Sequence, residues 1–281
     1  MPSSLPEPAR AFFMPAAGAD AGQRLWLHHV PVAAPRGALL QVHAFGEEMN
    51  KTRRMAALQS RAACAAGFAV LQVDLLGCGD SSGDFGDASW QAWVDDIADA
   101  AQWLRREHAA PLWLWGVRAG CLLAAEAALR IDAPVDFMFW QPPASGKPLL
   151  QQLLRLKAAA DLQGANAAVV MGDLRACLAR GEAIEVAGYR IRAGLAAGLE
   201  AAVLAPPPTP ARLVWLELST RADAPLLPAS GPVLARWRDA GFAVDSCVVV
   251  GPAFWQTTET EDAPVLLDAT VAALVSPLTA T

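Results

Sequence analysis

The sequence predicts a single α/β domain: a mostly parallel sheet of eight strands, covered by helices on both faces. Three observations carry this. Short apolar runs of strand length alternate with segments of helical period along the chain. The connecting segments are long enough for the crossovers that parallel strands require. The chain has 281 residues and is 54% hydrophobic, enough for one large core.

The elements follow in order. ARAFFMPA and QRLWLHHVPV read as two antiparallel strands, and GALLQVHAF as a buried third strand ending at His43 to Phe45. Asn50 to Ala66 reads as a helix stopped by Gly67. FAVLQVDLLG is the fourth strand. Ser89 to His108 is a long helix, with Ser89 as its cap and Trp93, Ile97, Ala101 and Leu104 as its apolar stripe. PLWLWG is the fifth strand and turns straight into a helix near Ala119 to Leu129; VDFMFW is the sixth. QPPASGKP and APPPTPAR bracket an Ala/Leu/Arg-rich segment that reads largely as helix, so residues 144–208 are expected to form a helical cap inserted in the domain. RLVWLEL, a helix around Pro232 to Ala240, AVDSCVVVG and a helix from Ala263 to Val275 complete the chain.

Net charge is −6, with acids and bases scattered. This argues against a nucleic-acid partner and gives no pull toward anionic membranes. The five cysteines are widely spaced and form no CxxC pair, so neither a disulfide framework nor a structural zinc site is expected, and reduced thiols in a cytoplasm fit best. No secretory signal and no membrane-spanning stretch are read from the sequence. No cofactor motif is found.

Three patterns then line up. HAFGEEMNKTR (His43 to Arg53) ends strand three, DLLGCGDSSG (Asp74 to Gly83) follows strand four, and GVRAG (Gly116 to Gly120) forms the turn from strand five to its helix. A strand-to-helix turn flanked by small residues is a nucleophile elbow, which presents its central residue above the sheet. With these neighbours, the segments resemble the α/β-hydrolase superfamily. More narrowly, HAFGEEMNKTRR, DLLGCGDSSGDF and the late FWQTTE look like the exosortase A system-associated hydrolase 2 family. That resemblance implies a bacterial cytoplasmic protein in a setting of protein sorting and exopolysaccharide production, in which "hydrolase" describes a fold rather than a chemistry.

The superfamily places a nucleophile after strand five, an acid after strand six or seven and a histidine after the last strand. Here the nucleophile position is Arg118, whose guanidinium stays charged and is no nucleophile. The histidine position falls in GPAFWQ, at Phe254 and Trp255. His28, His29, His43 and His108 are the only histidines, and all precede Arg118. Asp223 fits the acid position but has no histidine to orient. A Ser-His-Asp mechanism is thereby excluded.

Cys121 is expected to be a core thiol. Cys78 lies in a loop without an evident base, Ser81 and Ser82 suit turn chemistry, and His43 is expected to shape the loop after strand three. No histidine–carboxylate spacing supports a metal site. The backbone N–H of Ala119, with one near Phe45 or Gly46, can form a residual oxyanion-type donor pair beside Val117. A sheltered arginine needs a partner. Two readings stand: Arg118 pairs with Glu47 or Asp223 and plugs the old centre, or it anchors an anionic ligand. Trp140, Phe254 and Trp255 can wall a pocket for a sugar or acyl chain, or simply pack; the other tryptophans read as core. Lys51, Arg53 and Arg54 read as a solvated basic cluster. The expected function is a pseudoenzyme that binds an anionic, acyl or sugar ligand, or a protein through its cap. The competing reading is an esterase, thioesterase or acyltransferase with a non-standard site.

Overall fold

A computed structural model describes residues 8–16, 21–161 and 166–276. The eight-stranded sheet is built from β1 (Arg10–Ala16), β2 (Gly22–His29), β3 (Gly37–Val42), β4 (Phe68–Val73), β5 (Leu112–Val117), β6 (Asp136–Trp140), β9 (Arg212–Ser219) and β10 (Ala243–Val250). Its order is β1-β2-β4-β3-β5-β6-β9-β10. Only β2 runs against its neighbours in this sheet, so the sheet is mostly parallel, as the alternation of elements predicts.

The crossover helices are α1 (Glu47–Ala65), α2 (Trp90–Glu107), α3 (Gly120–Ala127), α7 (Ser230–Asp239) and α8 (Pro264–Val275). Ser89 caps α2, its hydroxyl accepting from the Ala92 N–H at 3.0 Å. Trp93, Ile97, Ala101 and Leu104 are all buried, so the stripe read from sequence is the face that packs. α2, α3 and α7 contribute to the core on one side of the sheet, and α1 and α8 to the core on the other.

Between β6 and β9 lie α4 (Lys147–Ala160), α5 (Ala167–Ala179), a hairpin of β7 (Ile184–Val186) and β8 (Tyr189–Ile191), and α6 (Ala193–Ala201). The segment is largely helical, as read from the sequence, and the hairpin is the part that reading did not include. Its turn takes positive φ at Ala187 (50°) and Gly188 (84°), the backbone a tight hairpin demands. α1 also begins three residues earlier than the sequence suggests, so Glu47 and Glu48 form its first turn instead of a loop.

β3 is flanked by β4 and β5, so the chain reverses its direction of winding there. Open α/β sheets place their sites outside the carboxyl ends of strands at such a switch. The loop after β3 and the turn after β5 meet at that point.

Candidate functional site

The elbow keeps its strained backbone. Arg118 sits at φ 55°, a left-handed conformation that costs a non-glycine residue roughly 1–3 kcal/mol. Its N–H donates to the Trp140 carbonyl at 3.0 Å, and its carbonyl accepts from the Cys121 N–H at 3.0 Å. Both flanking glycines are sterically required. A Cβ on Gly116 would lie 2.6 Å from Cys121 Cα, and one on Gly120 would lie 2.3 Å from the Val42 carbonyl oxygen. The turn therefore fits only with α3 pressed against β3 and β5. Val117 and Ala119, on either side of Arg118, are buried.

The arginine side chain is turned to Glu48. Nη2 donates to Glu48 Oε1 at 3.0 Å, while Nε donates to Oε2 at 3.2 Å and to Oε1 at 3.3 Å. The partner is thus neither of the expected acids. Glu47 is exposed and accepts from Asn50 Nδ2 and the Tyr189 hydroxyl, each at 3.2 Å. Asp223 is exposed, at φ 58°, in the loop after β9. Helix geometry explains the choice. Thr52, Met55 and Gln59 are buried, and Glu48 continues that stripe at four- and three-residue steps. Glu47 is rotated away from it.

Trp255 completes the enclosure. The Arg118 guanidinium carbon lies 5.2 Å from its ring centre, within cation–π range. A triad histidine would be sought in this loop; an aromatic ring and a carboxylate hold the cation instead. The Arg118 side chain is 11% exposed and that of Glu48 21%, so the arginine is sheltered and its partner less so. The pairing removes the burial penalty that an isolated guanidinium would carry.

The remaining candidates separate. His43 is buried, with Nδ1 2.8 Å from the Ala44 carbonyl, an acceptor, so Nδ1 carries the hydrogen. The Leu75 N–H faces its Nε2 at 3.5 Å. Burial lowers its pKa, so the ring is neutral and ties the β3 and β4 loops together. Cys78, read as a loop thiol, is buried, and that burial pushes its pKa up to about 12. Cys121 is buried and its pKa is raised well above the usual thiol range by the same cause. Trp140 and Phe254 lie in the core under the sheet and do not line the cleft. Trp140 Nε1 donates to Thr270 Oγ1 at 2.9 Å, and its ring packs edge-on to Phe254. The basic cluster is engaged, not free. Lys51 reaches the Thr257 carbonyl at 2.6 Å, Arg53 pairs with Asp74 at 3.0 Å, and Arg54 holds Asp262 through two bonds of 2.7 and 2.8 Å. Among the described residues no group of three or more possible metal ligands occurs, and no helix is long and apolar enough to cross a membrane.

Beside Glu48 and Trp255 lies a cleft of about 570 Å³, which Arg118 itself does not line. Phe45, Leu149, Leu153, Leu156, Leu199 and Trp255 form its apolar lining, and Glu47, Glu48, Lys51 and Arg155 bring charge to it. Gly46 is the N-cap of α1, close under the Tyr189 ring. The part of α4 in this wall escaped the sequence reading, although Leu149, Leu153 and Leu156 recur at steps of four and three on that helix, a signal present in the sequence. Glu217 was missed as well. This buried carboxylate in β9 accepts from Trp215 Nε1 at 2.8 Å, the Leu227 N–H at 2.7 Å and the Ser230 hydroxyl, which fixes the loop that carries Asp223.

Comparison with known proteins agrees with this architecture. The chain is similar to Est1E from Butyrivibrio proteoclasticus, solved with ferulic acid bound (TM-score 0.66, 14% identity, 94% of this chain and 98% of that one). It is also similar to a thermostable carboxyl esterase from Bacillus coagulans (0.61, 15%, 95% and 98%). A third is a proline iminopeptidase-related protein from Thermus thermophilus (0.59, 19%, 95% and 98%). At these identities the likeness is one of fold. No curated protein matches the sequence. The family profile described as serine aminopeptidase, S33, matches residues 33–173, half of the chain. The protein therefore belongs to the serine aminopeptidase S33 family of α/β-hydrolases, with an arginine where the elbow would carry its serine.

Proposed function

We propose that this chain is a non-catalytic α/β-hydrolase that binds a ligand with an acyl portion in the cleft above the elbow. The observation that carries the reading is the Arg118–Glu48 contact beneath Trp255. It fills the position where a nucleophile and its base would have to meet, and His43, the histidine of the loop after β3, is buried and already bonded. The apolar cleft wall supports an acyl portion over a bare sugar. The exosortase-linked, cytoplasmic setting is part of this proposal and rests on the three sequence segments that resemble that family.

One observation favours a second role for Arg118 itself. Glu48 is the more exposed partner, so an anionic group entering the cleft reaches Glu48 first and can replace it on the guanidinium. Calorimetric titration tests both statements. Laurate and methyl laurate should each bind once per chain, and Leu156→Asp, an exposed wall position, should abolish both. Arg118→Ala should weaken laurate alone if the arginine takes over the anion. Absence of saturable binding by either probe overturns the proposal.

A further inference from the structure

The last strand of the sheet is an edge with an unusual freedom. β10 pairs in parallel with β9 on one side only. The Ala243 N–H donates to the Ala211 carbonyl and the Gly251 N–H to the Ser219 carbonyl, so the odd-numbered residues direct their backbone groups at β9. The backbone groups of Val244, Ser246, Val248 and Val250 consequently point away from the sheet, and they make no hydrogen bond among the described residues.

Exposed edges are normally blunted by lysine, proline or a bulge. β10 has none of these: it reads AVDSCVVV, and its register with β9 is unbroken. Its single charge, Asp245, is held by Arg212 at 2.8 and 3.1 Å. The opposite edge strand, β1, differs, since it contains Arg10 and Pro15, and proline lacks the N–H. The carboxyl end of β10 also carries exposed apolar surface. Val250 is 47% exposed, and Val265, on the helix packed against this strand, is 52% exposed.

We infer that β10 joins a second copy of this chain by antiparallel edge-to-edge pairing about a two-fold axis at Cys247. A second copy is the fitting occupant because the edge is complementary to itself. Only one antiparallel register uses all four outward-facing residues of both strands. It sets Val244 against Val250 of the second copy and Ser246 against Val248 of the second copy. No like charges meet, because Asp245 falls opposite Val249 of the second copy. Cys247, which is exposed, then faces its own equivalent as a non-hydrogen-bonded pair, with Cα atoms about 4.5 Å apart. That separation suits a disulfide.

The test is sedimentation equilibrium of the full chain, combined with copper–phenanthroline oxidation in air, where dioxygen takes the electrons released as two thiols join. The expected result is a dimer whose subunits cross-link through Cys247, with the cross-link lost in Cys247→Ser. Val248→Pro removes only an outward N–H and spares the ladder to β9, so it should fold and weaken the dimer by about tenfold or more. Ser246→Pro gives the same test at a second site should the first variant fold poorly by circular dichroism. A monomer at every concentration overturns the inference. So does a dimer that both proline variants leave intact, or one that forms no cross-link at Cys247.

Discussion

Two sheltered arginine–carboxylate pairs hold different parts of this molecule. Arg24 on β2 donates from Nε to Asp96 on α2 at 2.8 Å, with both side chains under a tenth exposed. The same Asp96 oxygen accepts from the Leu76 N–H at 2.9 Å. Arg118 and Glu48 join the elbow to α1 at 3.0 Å, but Glu48 stays partly open to the cleft. The first pair is sealed into the joint between β2 and α2. Of the second, Glu48 lines the cleft and Arg118 does not. The contrast teaches that a sheltered arginine at the elbow is held by a partner that still reaches the cleft, which the first pair does not do.

Breaking the sealed pair should have the largest effect. Asp96→Ala removes one carboxylate from the buried Arg24 guanidinium and leaves the Leu76 N–H without its acceptor, and should cost about 3 kcal/mol in urea unfolding. A loss below about 1 kcal/mol would erase the contrast.

The same joint predicts a pH dependence. His28 on β2 and His108 after α2 meet with Nε2 atoms 2.9 Å apart, and burial, reinforced by His108, lowers the His28 pKa to about 4. A histidine depressed on folding contributes stability that is complete above its unfolded pKa of about 6.5 and is lost as pH falls toward the folded value. Unfolding free energy should therefore drop by about 2–3 kcal/mol between pH 6.5 and pH 4 through this group. Asp96, raised by burial, titrates in the opposite sense, so the comparison is with His28→Gln, in which the drop should shrink. An unchanged slope would remove His28 from the account.

Smaller effects belong to the elbow. Gly120→Ala forces a Cβ against the Val42 and His43 carbonyls and should destabilise by about 1–3 kcal/mol. Glu48→Gln keeps a hydrogen-bonding partner for a guanidinium also stacked on Trp255, and Glu48 itself is partly exposed, so its cost should be about 1 kcal/mol. A Glu48 variant as damaging as the Asp96 one would mean that the elbow pair is structural, like the other.

The fold was legible in the sequence because its signals are local. Ser89 caps α2, the 3–4 stripe of that helix is buried, and the glycines of GVRAG sit where a Cβ cannot. The need of Arg118 for a carboxylate was legible from charge alone. Which carboxylate was not, because that depends on α1 starting at Glu47, and a helix boundary shifted by three residues rotates each acid to a different face. The β7–β8 hairpin escaped because three-residue strands show too little alternation to stand out from helical neighbours. Phe254 and Trp255 are adjacent in sequence and both buried, yet only Trp255 also covers Arg118 and lines the cleft; the packing of the loop after β10 separates their roles.

The central proposal is that the elbow performs no hydrolysis, and turnover by the purified chain tests it most directly. With p-nitrophenyl butyrate and alanine p-nitroanilide as probes, release of nitrophenol or nitroaniline should not exceed that in buffer, and Arg118→Ser alone should not restore it, since no histidine is placed to act as base. Saturable turnover by the wild-type chain that disappears in Arg118→Ala or His43→Gln would contradict the account.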